Sequence, residues 1–451
     1  MTRHEAIRDE RGVVMVLVVF LMAMLSLMAV LLIDTVTGEV ERSGGAVRSN
    51  ASFQAAEAGI EDYIAKMVDD RLYYAHQVHP GEATRQDAGG GTATAGQAWP
   101  YSLEWSYPNG FDHWRQLSNG YEYSLQVTPP DAGSLTVKIV AVGRKVGSTT
   151  NERRIEVLIR PSSIADFQRI VNGSVNWGAT ATTWGKLYAN GNIRHDGIAH
   201  GNIYAEGQIT GSVSMQSGAQ KYDVDSDPTI RTQIKNPVNF AALVASIVDV
   251  QRASQVAGIN LDNPSYAAWR LTFQSNGTVQ VQSCTLSGGN PPENVAPNCG
   301  SATSYSVPVN GAIYTGQTAI VSGVVNGRVT VASNDDIIVA NNISYVQPGD
   351  DVLGLAAKND VIGAVWAPDN LTWTAGVLAQ SGTWKGAGSA GIHNGTMTHV
   401  GSSTTNLGGD WTAWTARSYS YDQNLLYLPP PWFPTIEDAY TTILFRELPA
   451  P

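Results

Sequence analysis

The sequence predicts an α+β protein with a long, apolar N-terminal helix, a set of antiparallel strands and a large inserted β-rich domain that is β-solenoid-like. Three observations lead to this fold class. Residues 13–33 contain no charge, residues 101–159 alternate apolar with polar side chains, and residues after 161 repeat single aliphatics between Gly and Asn corners.

The composition is typical of an exported, β-rich chain. Its 451 residues include 28 Lys and Arg against 39 Asp and Glu, a net charge of −11, which argues against a broad basic surface for a polyanion. A hydrophobic content of 43 % is enough to bury several cores, so the chain is not disordered. Two cysteines cannot build a four-Cys zinc site or a disulfide-rich scaffold.

The N-terminal apolar run predicts a transmembrane helix. As a helix, Val13–Ile33 spans roughly 30 Å, the thickness of the hydrocarbon core of a bilayer. It is longer than a secretory signal and no small-x-small cleavage site follows it. An apolar face at spacings of 3 and 4 then continues the helix to residue 70, through Phe53, Ala56, Ile60, Ile64 and Met67. The predicted membrane anchor includes Val13, Leu17, Phe20, Leu25 and Ile33.

The residues on both sides of this run resemble a known family. Arg11-Gly12, the apolar run and the motif Phe-Gln-Ala-Ala-Glu-Ala-Gly-Ile-Glu at Phe53–Glu61 are similar to the N-terminus of the type IV pilus PilX family of minor pilins and pseudopilins. The resemblance implies that a prepilin peptidase cuts between Gly12 and Val13. It further implies a single-pass anchor in the cytoplasmic membrane, export of the body, and assembly with other pilins through the N-terminal helix into an extracellular pilus.

One position departs from the family pattern. Leu17 stands where most pilins have a Glu that pairs with the N-terminus of a neighbouring subunit, and this difference favours a place at the filament tip. The alternative to a pilin is a generic single-span anchor that carries an extracellular domain.

Alternating strands follow the helix. They are predicted at Tyr101–Ser106, Tyr121–Val127, Leu135–Val142 and Arg154–Ile159. The resemblance implies that these strands pack on the helix as an antiparallel pilin head.

The region after Pro161 predicts a parallel β-solenoid. Gly191-Asn192-Ile193 recurs ten residues later as Gly201-Asn202-Ile203, and aliphatic residues between tight corners return in 313–343 and 352–378. A roll of antiparallel hairpins is the alternative. A solenoid inserted into a pilin head also resembles the competence minor pilins in architecture.

Two local features interrupt the repeat. Asn236 as N-cap and Pro237 at the first helical position predict a helix near 237–257. Cys284 and Cys299 flank a loop and, in an exported protein, predict one disulfide, with two free thiols as the alternative.

The resulting domain prediction has five segments. They are a prepilin-type leader at 1–12, the hydrophobic and amphipathic helix at 13–70, the sheet head at 71–160, the solenoid-like domain at 161–420, and a C-terminal segment with a return strand at 421–451.

The motifs for chemistry are weak. Gly386–Gly391 has the spacing of a dinucleotide loop without a following helix, and Asp223-x-Asp225-x-Asp227 lacks the Gly and Glu of an EF-hand. His195, Asp196 and His200 are expected at solvent-facing corners. We therefore predict no catalytic, cofactor-binding or metal-ligating residue, no cofactor, and a protein that is not an enzyme.

The predicted function is that of a non-catalytic minor pilin that displays a β-rich body for adhesion or substrate contact. The alternatives are a membrane-anchored adhesin or carbohydrate-binding protein outside a filament, and a β-solenoid enzyme acting on polysaccharide. A surface polysaccharide or DNA is the expected ligand. For DNA, the candidate contact is a local basic stripe formed by Arg144, Lys145, Arg153 and Arg154. The clustered tryptophans of 366–414 bind sugars if exposed and fill the solenoid if buried, and burial is favoured.

Overall fold

The computed structural model describes residues 47–67, 84–86, 92–94, 111, 114–128, 130, 134–224 and 237–449, together with Phe20, Met22, Met24 and Met28. The predicted leader, the cleavage between Gly12 and Val13, and the anchor residues Val13, Leu17, Leu25 and Ile33 lie outside these residues. Contacts divide the chain into two compact units. The first comprises Met1–Thr128, Ile139–Val157 and Phe445–Pro451, and the second comprises Pro129–Lys138 and Leu158–Leu444.

The predicted fold class is wrong, because β-structure dominates the chain. Strands make up 49 % of the described residues, and the structure contains a β-solenoid of about 11 turns. The described α-helices are short: α1 covers residues 47–67 and α2 covers Val244–Ala257. A long helix on a sheet therefore does not define this fold. The many short Val-, Ile- and Thr-rich segments between corners favour strands instead.

The predicted single-pass anchor is contradicted as well. Within the described ranges, no helix combines the length with the apolar character needed to cross a bilayer. Helix α1 is amphipathic: it buries Ala56, Ile60, Tyr63 and Met67 and carries charges on its other face. The described structure therefore does not support the transmembrane helix and the inner-membrane localisation predicted from residues 13–33, a segment of which it includes only Phe20, Met22, Met24 and Met28.

In the first unit, α1 packs on an antiparallel sheet with the strand order β3-β4-β5-β6-β33. A Cβ on Gly143 would lie 2.0 Å from the Ser52 carbonyl oxygen, so only a glycine lets the helix backbone approach this closely. Asp62 of α1 accepts hydrogen bonds from the Arg115 guanidinium at 2.9 Å and the Tyr123 hydroxyl at 3.1 Å. The strands associated with this sheet and the separate β1–β2 hairpin are β1 (Thr84–Gln86), β2 (Thr92–Thr94), β3 (Arg115–Gln116), β4 (Tyr121–Thr128), β5 (Val137–Lys145), β6 (Arg153–Ser163) and β33 (Thr435–Leu448).

The second unit is the solenoid, and the predicted solenoid is confirmed. Most of its strands stack in parallel, apart from antiparallel pairings among the strands of residues 268–306, and they form two blocks. The first block contains β7 (Phe167–Val171), β8 (Val175–Trp177), β9 (Thr182–Thr183), β10 (Lys186–Ala189), β11 (Ile193–His195), β12 (Ile198–Ala199), β13 (Ile203–Ala205), β14 (Ile209–Thr210), β15 (Ser214–Met215) and β16 (Lys221–Asp223).

The second block is larger and is preceded by α2. It contains β17 (Ile259–Leu261), β18 (Ala268–Gln274), β19 (Thr278–Thr285), β20 (Asn298–Cys299), β21 (Thr303–Ser306), β22 (Ala312–Thr315), β23 (Thr318–Val325), β24 (Arg328–Ser333), β25 (Ile337–Tyr345), β26 (Val352–Ala357), β27 (Val361–Gly363), β28 (Leu371–Ala379), β29 (Trp384–Gly386), β30 (His393–Thr405), β31 (Gly409–Asp410) and β32 (Trp414–Ser420). Cys284 and Cys299 form a disulfide between the paired strands β19 and β20.

The order of the coils does not follow the order of the chain. One face is a continuous parallel sheet in the order β17-β22-β24-β26-β28-β30-β7-β10-β13-β16. The chain winds outward from β7 to β16 and then resumes at β17, at the far end of this sheet. From there it winds back until β30 pairs with β7. The first coil of the solenoid therefore lies in its interior, beside one of the last.

Helix α2 covers the outer side of this continuous sheet. Ile247 and Val250 belong to a core cluster with Tyr314 of the sheet and Phe433 of the C-terminal segment. The helix begins at Val244 rather than at Pro237, and its N-cap residue is Leu243.

Candidate functional site

Among the described residues, strand pairing joins the two blocks of the solenoid on one face. There, Ser403, Thr404 and Thr405 of β30 pair with 169–171 of β7. On the other two faces, in the described part of the chain, β8 and β9 pair only with β11 and β12, whereas β31 and β32 pair only with β29 and β30. The unpaired strand edges leave an opening between the blocks, which we call the seam cleft.

The seam cleft has the size of a small-ligand site. It encloses about 610 Å³, within the range of roughly 300–1,000 Å³ that is typical of ligand pockets. Its lining comes from 175–184 of the first block and from Trp384, Trp411 and 417–420 of the second, with Arg169 and Ser403 between them. Both blocks therefore contribute to one cavity.

Polar residues break an aliphatic ladder at the seam. Along the continuous sheet, Val331, Leu355 and Val377 are stacked in register and fully buried on one side, and Leu187 and Ile203 are stacked and fully buried on the other. Between these two stacks the register places Ser403 and Arg169. Aliphatic residues at both positions would continue the core, so the polar pair points to a role at the cleft.

Arg169 is a buried cation. Only 9 % of the residue is exposed, its Nη1 donates to the Ser403 hydroxyl at 3.0 Å, and its guanidinium carbon lies 4.9 Å from the Trp384 ring centroid. Burial lowers the pKa of Arg169 to about 10, so the side chain stays charged at neutral pH. In the ranges that the structure describes, no carboxylate forms an ion pair with it. A buried charge without a counterion is unfavourable, which makes this cation a candidate for binding an anion.

Aromatic rings form the wall next to Arg169. The Trp384 ring lies 5.3 Å from that of Trp411, 5.4 Å from that of Tyr419 and 5.1 Å from that of His399. The indole Nε1 atoms of Trp384 and Trp411 are buried and have no hydrogen-bond partner. Buried donors in native proteins are normally satisfied, so these two N–H groups are unusual features of the aromatic wall.

The opposite wall presents flat ring faces. Trp184 is 50 % exposed and stacks on His200 with ring centroids 4.0 Å apart. Trp177 stacks on His195 at 5.7 Å. His195 was expected at a solvent-facing corner, but it is fully buried, where its Nδ1 accepts from the Gly197 amide at 3.1 Å.

The charge of the cleft contrasts with the acidity of the chain. Among the described lining residues are two arginines, Arg169 and the exposed Arg417, and none is acidic. Burial raises the pKa of Tyr419 to about 12, and the carboxylate of Asp410 makes a smaller contribution in the same direction. A locally cationic cavity in a protein of net charge −11 favours anionic ligands.

His399 forms part of the cleft and stays neutral. It is buried, its Nε2 lies 3.0 Å from the Ala375 carbonyl oxygen and so acts as donor, and burial lowers its pKa to about 3, with a smaller effect from the charge of Arg169. His399 is thus an uncharged residue of the cleft lining that donates a hydrogen bond to the main chain.

This burial predicts a dependence of stability on pH. Because unfolded His399 has a pKa of 6.5 and folded His399 one of about 3, the unfolded state binds more protons between these values. We expect the free energy of unfolding to fall as the pH is lowered from about 6.5 towards 3. The variant His399→Gln lacks this proton and should lose less stability between pH 7 and pH 5 in urea titrations. Equal losses in the two proteins would contradict the assignment.

The other predicted residues are distributed as follows. Trp373, Trp384, Trp411 and Trp414 are buried, in agreement with the favoured interpretation of the tryptophan cluster. Trp384 and Trp411 also line the cleft. In the basic stripe, Arg144 pairs with Glu122 and Glu152, and Arg153 pairs with Glu447. Asp225 and Asp227 lie outside the described residues. In the described ranges no three His, Cys, Asp or Glu side chains converge as metal ligands.

Sequence reasoning did not select Arg169. The sequence signal for Arg169 is a single charged residue at the centre of the otherwise uncharged strand Phe-Gln-Arg-Ile-Val. All five residues of this strand are buried. That signal shows a charge in a strand, but its position at a seam depends on the pairing of β7 with β30.

Comparisons with known proteins add a weak structural likeness. No family model and no curated protein matches the chain. The structure is similar to the competence-associated pilin ComZ from Thermus thermophilus, with 13 % identity, a TM-score of 0.29, and coverage of 89 % of this chain and 97 % of that one. It is also similar to an ice-binding protein from the Antarctic ascomycete Antarctomyces psychrotrophicus, with 11 % identity, a TM-score of 0.24, and coverage of 57 % and 95 %. Membership of the PilX family is not confirmed by any of these matches; what stands is a β-solenoid fold with a weak likeness to a pilin.

Proposed function

We propose that the chain is a non-catalytic binding subunit of the pilin type, which displays its solenoid so that the seam cleft can hold a saccharide of a surface polysaccharide. The observation that carries the binding part is the seam cleft itself. Its described lining supplies aromatic rings and a buried cation. Sugar rings stack on aromatic faces, and their hydroxyl oxygens accept hydrogen bonds from buried donors.

The pilin part rests on the sequence and on the first unit. The motif at Phe53–Glu61 lies on α1, and α1 packs closely on the sheet at Gly143. The partners in this proposal are other pilins, through the N-terminal helical segment, and a prepilin peptidase that cuts between Gly12 and Val13. The test is N-terminal sequencing of protein recovered from sheared surface fibres. A start at Val13 supports the proposal, whereas protein that is absent from fibres and retains Met1 contradicts it.

Saccharide binding is tested at the exposed ring. Replacing Trp184 with Ala removes a stacking face, and we expect it to weaken binding of oligosaccharides severalfold, up to about tenfold, in calorimetric titrations. Tyr305→Ala is the matched control, because Tyr305 is similarly exposed, at 42 %, on β21 of the second block. Binding that is equally weakened in both variants, or absent in the unaltered protein, would refute a saccharide site in the cleft.

A further inference from the structure

The strongest unexplained feature of the seam cleft is that one of its buried polar groups is a cation, Arg169. A site for neutral sugars needs hydrogen-bond donors and acceptors, and hydroxyl or amide side chains supply both without burying a charge. Here the position between Val377 and Leu187 of the neighbouring ladders is filled by Ser403 and Arg169, and only Arg169 carries a charge. The energetic cost of that burial calls for a compensating partner.

No partner for this charge is present among the described residues of the cavity. The contacts of Arg169 are the Ser403 hydroxyl and the face of Trp384, and the electrostatic neighbour that affects it is Tyr419. Ser403 is itself buried, and its hydroxyl donates to the Gln168 carbonyl oxygen at 3.3 Å. Arg169 is thus held in place from one side while it lines the open cavity on the other.

The neighbouring groups select for a flat anion attached to a ring. Trp384 and Trp411 line the same cavity as Arg169, and the guanidinium lies over the Trp384 ring, so the cation and the aromatic side chains face one space. A guanidinium binds a carboxylate with two parallel hydrogen bonds, and such bonds are about twice as strong as neutral ones. The cavity of about 610 Å³ leaves room for the sugar ring that bears the carboxylate.

We infer that the seam cleft recognises a carboxylated sugar of the uronic acid class, with its carboxylate on Arg169 and its ring among the tryptophans. This inference rests on the proposed saccharide binding and adds the charge of the ligand. It makes Arg169 the residue that determines specificity, while Trp184 provides affinity for acidic and neutral sugars alike.

The experiment compares two ligands that differ only in whether the carboxyl group is free or methyl-esterified. Oligogalacturonate and its methyl ester have the same rings and linkages, and titration of the full chain with each measures the preference for the carboxylate. We expect the unaltered protein to bind the acid at least about tenfold more tightly than the ester. Raised salt should reduce affinity for the acid and leave that for the ester nearly unchanged.

Variants then assign the preference to one side chain. Arg169→Gln should lose the preference while still binding the ester, and Arg169→Lys should keep part of it. Arg194→Gln is the control, since Arg194 is an exposed arginine of the same block outside the cleft lining, and it should bind as the unaltered protein does.

The outcomes separate the two proposals. Equal binding of acid and ester by the unaltered protein overturns the carboxylate inference and leaves saccharide binding intact. Binding of neither ligand, nor of any other oligosaccharide, overturns the proposed function. If Arg169→Gln does not fold, the ligand comparison in the unaltered protein and in Arg169→Lys still decides the question. A sulfated oligosaccharide that binds more tightly than the uronate would also overturn the assignment to a carboxylate.

Discussion

Replacing Arg160 with Met is expected to lower the free energy of unfolding by about 3–5 kcal/mol, because it leaves a buried carboxylate without its cation. Arg160 is 1 % exposed and forms an ion pair with Asp166, which is itself buried at 6 %. Its Nη2 also donates to the Leu426 carbonyl oxygen at 2.7 Å. Arg160 thereby connects the strand that enters the solenoid with the segment that leaves it.

The same substitution at an exposed pair is the control for Arg160→Met. Arg194 and Asp196 form an ion pair at 2.8 Å, but the Arg194 side chain is 63 % exposed, and exposed pairs contribute only about 0–1 kcal/mol. Urea denaturation followed by tryptophan fluorescence measures both variants. If Arg194→Met and Arg160→Met lost the same stability, the buried ion pair would not be the reason for the loss.

A second large loss, of about 2–4 kcal/mol, is expected for Gly401→Ala. Gly401 has a φ of +149°, a conformation that residues with a Cβ rarely adopt, and a Cβ there would lie 2.0 Å from the Ala375 carbonyl oxygen of the adjacent strand. The added methyl must push β30 away from β28. Because Gly401 and Ser403 both line the seam cleft, ligand affinity should fall together with stability.

Gly173→Ala serves as the comparison for Gly401→Ala. A Cβ on Gly173 meets no atom within 4 Å, and Gly173 is not among the glycines with positive φ. We expect its stability to stay within about 0.5 kcal/mol of the unaltered protein. Thermal or urea unfolding of the two variants measures the difference directly. Losses of similar size in both variants would mean that replacing any glycine has this effect, and that the close approach of a Cβ at Gly401 to the Ala375 carbonyl oxygen is not its cause.

The solenoid was predictable from the sequence because its signal is local. Each short strand, such as Ile193 and its neighbours, lies between Gly and Asn corners, and the repeat brings equivalent residues into register, as Ile193 and Ile209 show. The pairing of β30 with β7 was not predictable in this way. Residues 169 and 403 are far apart in sequence, and no local pattern specifies which coil a solenoid places beside its first one.

Helix α2 shows how packing can outweigh a strong local signal. Asn236 and Pro237 are suitable start residues, yet the helix begins at Val244. Val238, Phe240 and Leu243 of the preceding segment are buried in the cluster that covers the continuous sheet. Burying these side chains stabilises the turn conformation more than an additional helical turn would.

The candidate site was only partly predictable for a related reason. A cluster of tryptophans is visible in the sequence, but whether they fill a core or face a cavity depends on where the stack of coils is interrupted. Trp373 and Trp414 are fully buried and do not line the cleft, whereas Trp384 and Trp411 are buried and do line it. The apolar run of residues 13–33 led to the prediction of an anchor, which the described structure does not support.

The rearranged coil order has a consequence for synthesis. As the chain emerges from its N-terminus, β7 to β16 are made before the second block exists, so the edge of β7 that later receives β30 stays unpaired while more than 200 further residues are translated. An open parallel edge is a template for pairing with other chains. Arg169, in the middle of that edge strand, places a charge in the nascent first block and opposes such mispairing until β30 arrives. The residue that we assign to ligand recognition would then also act as a gatekeeper against aggregation during biosynthesis.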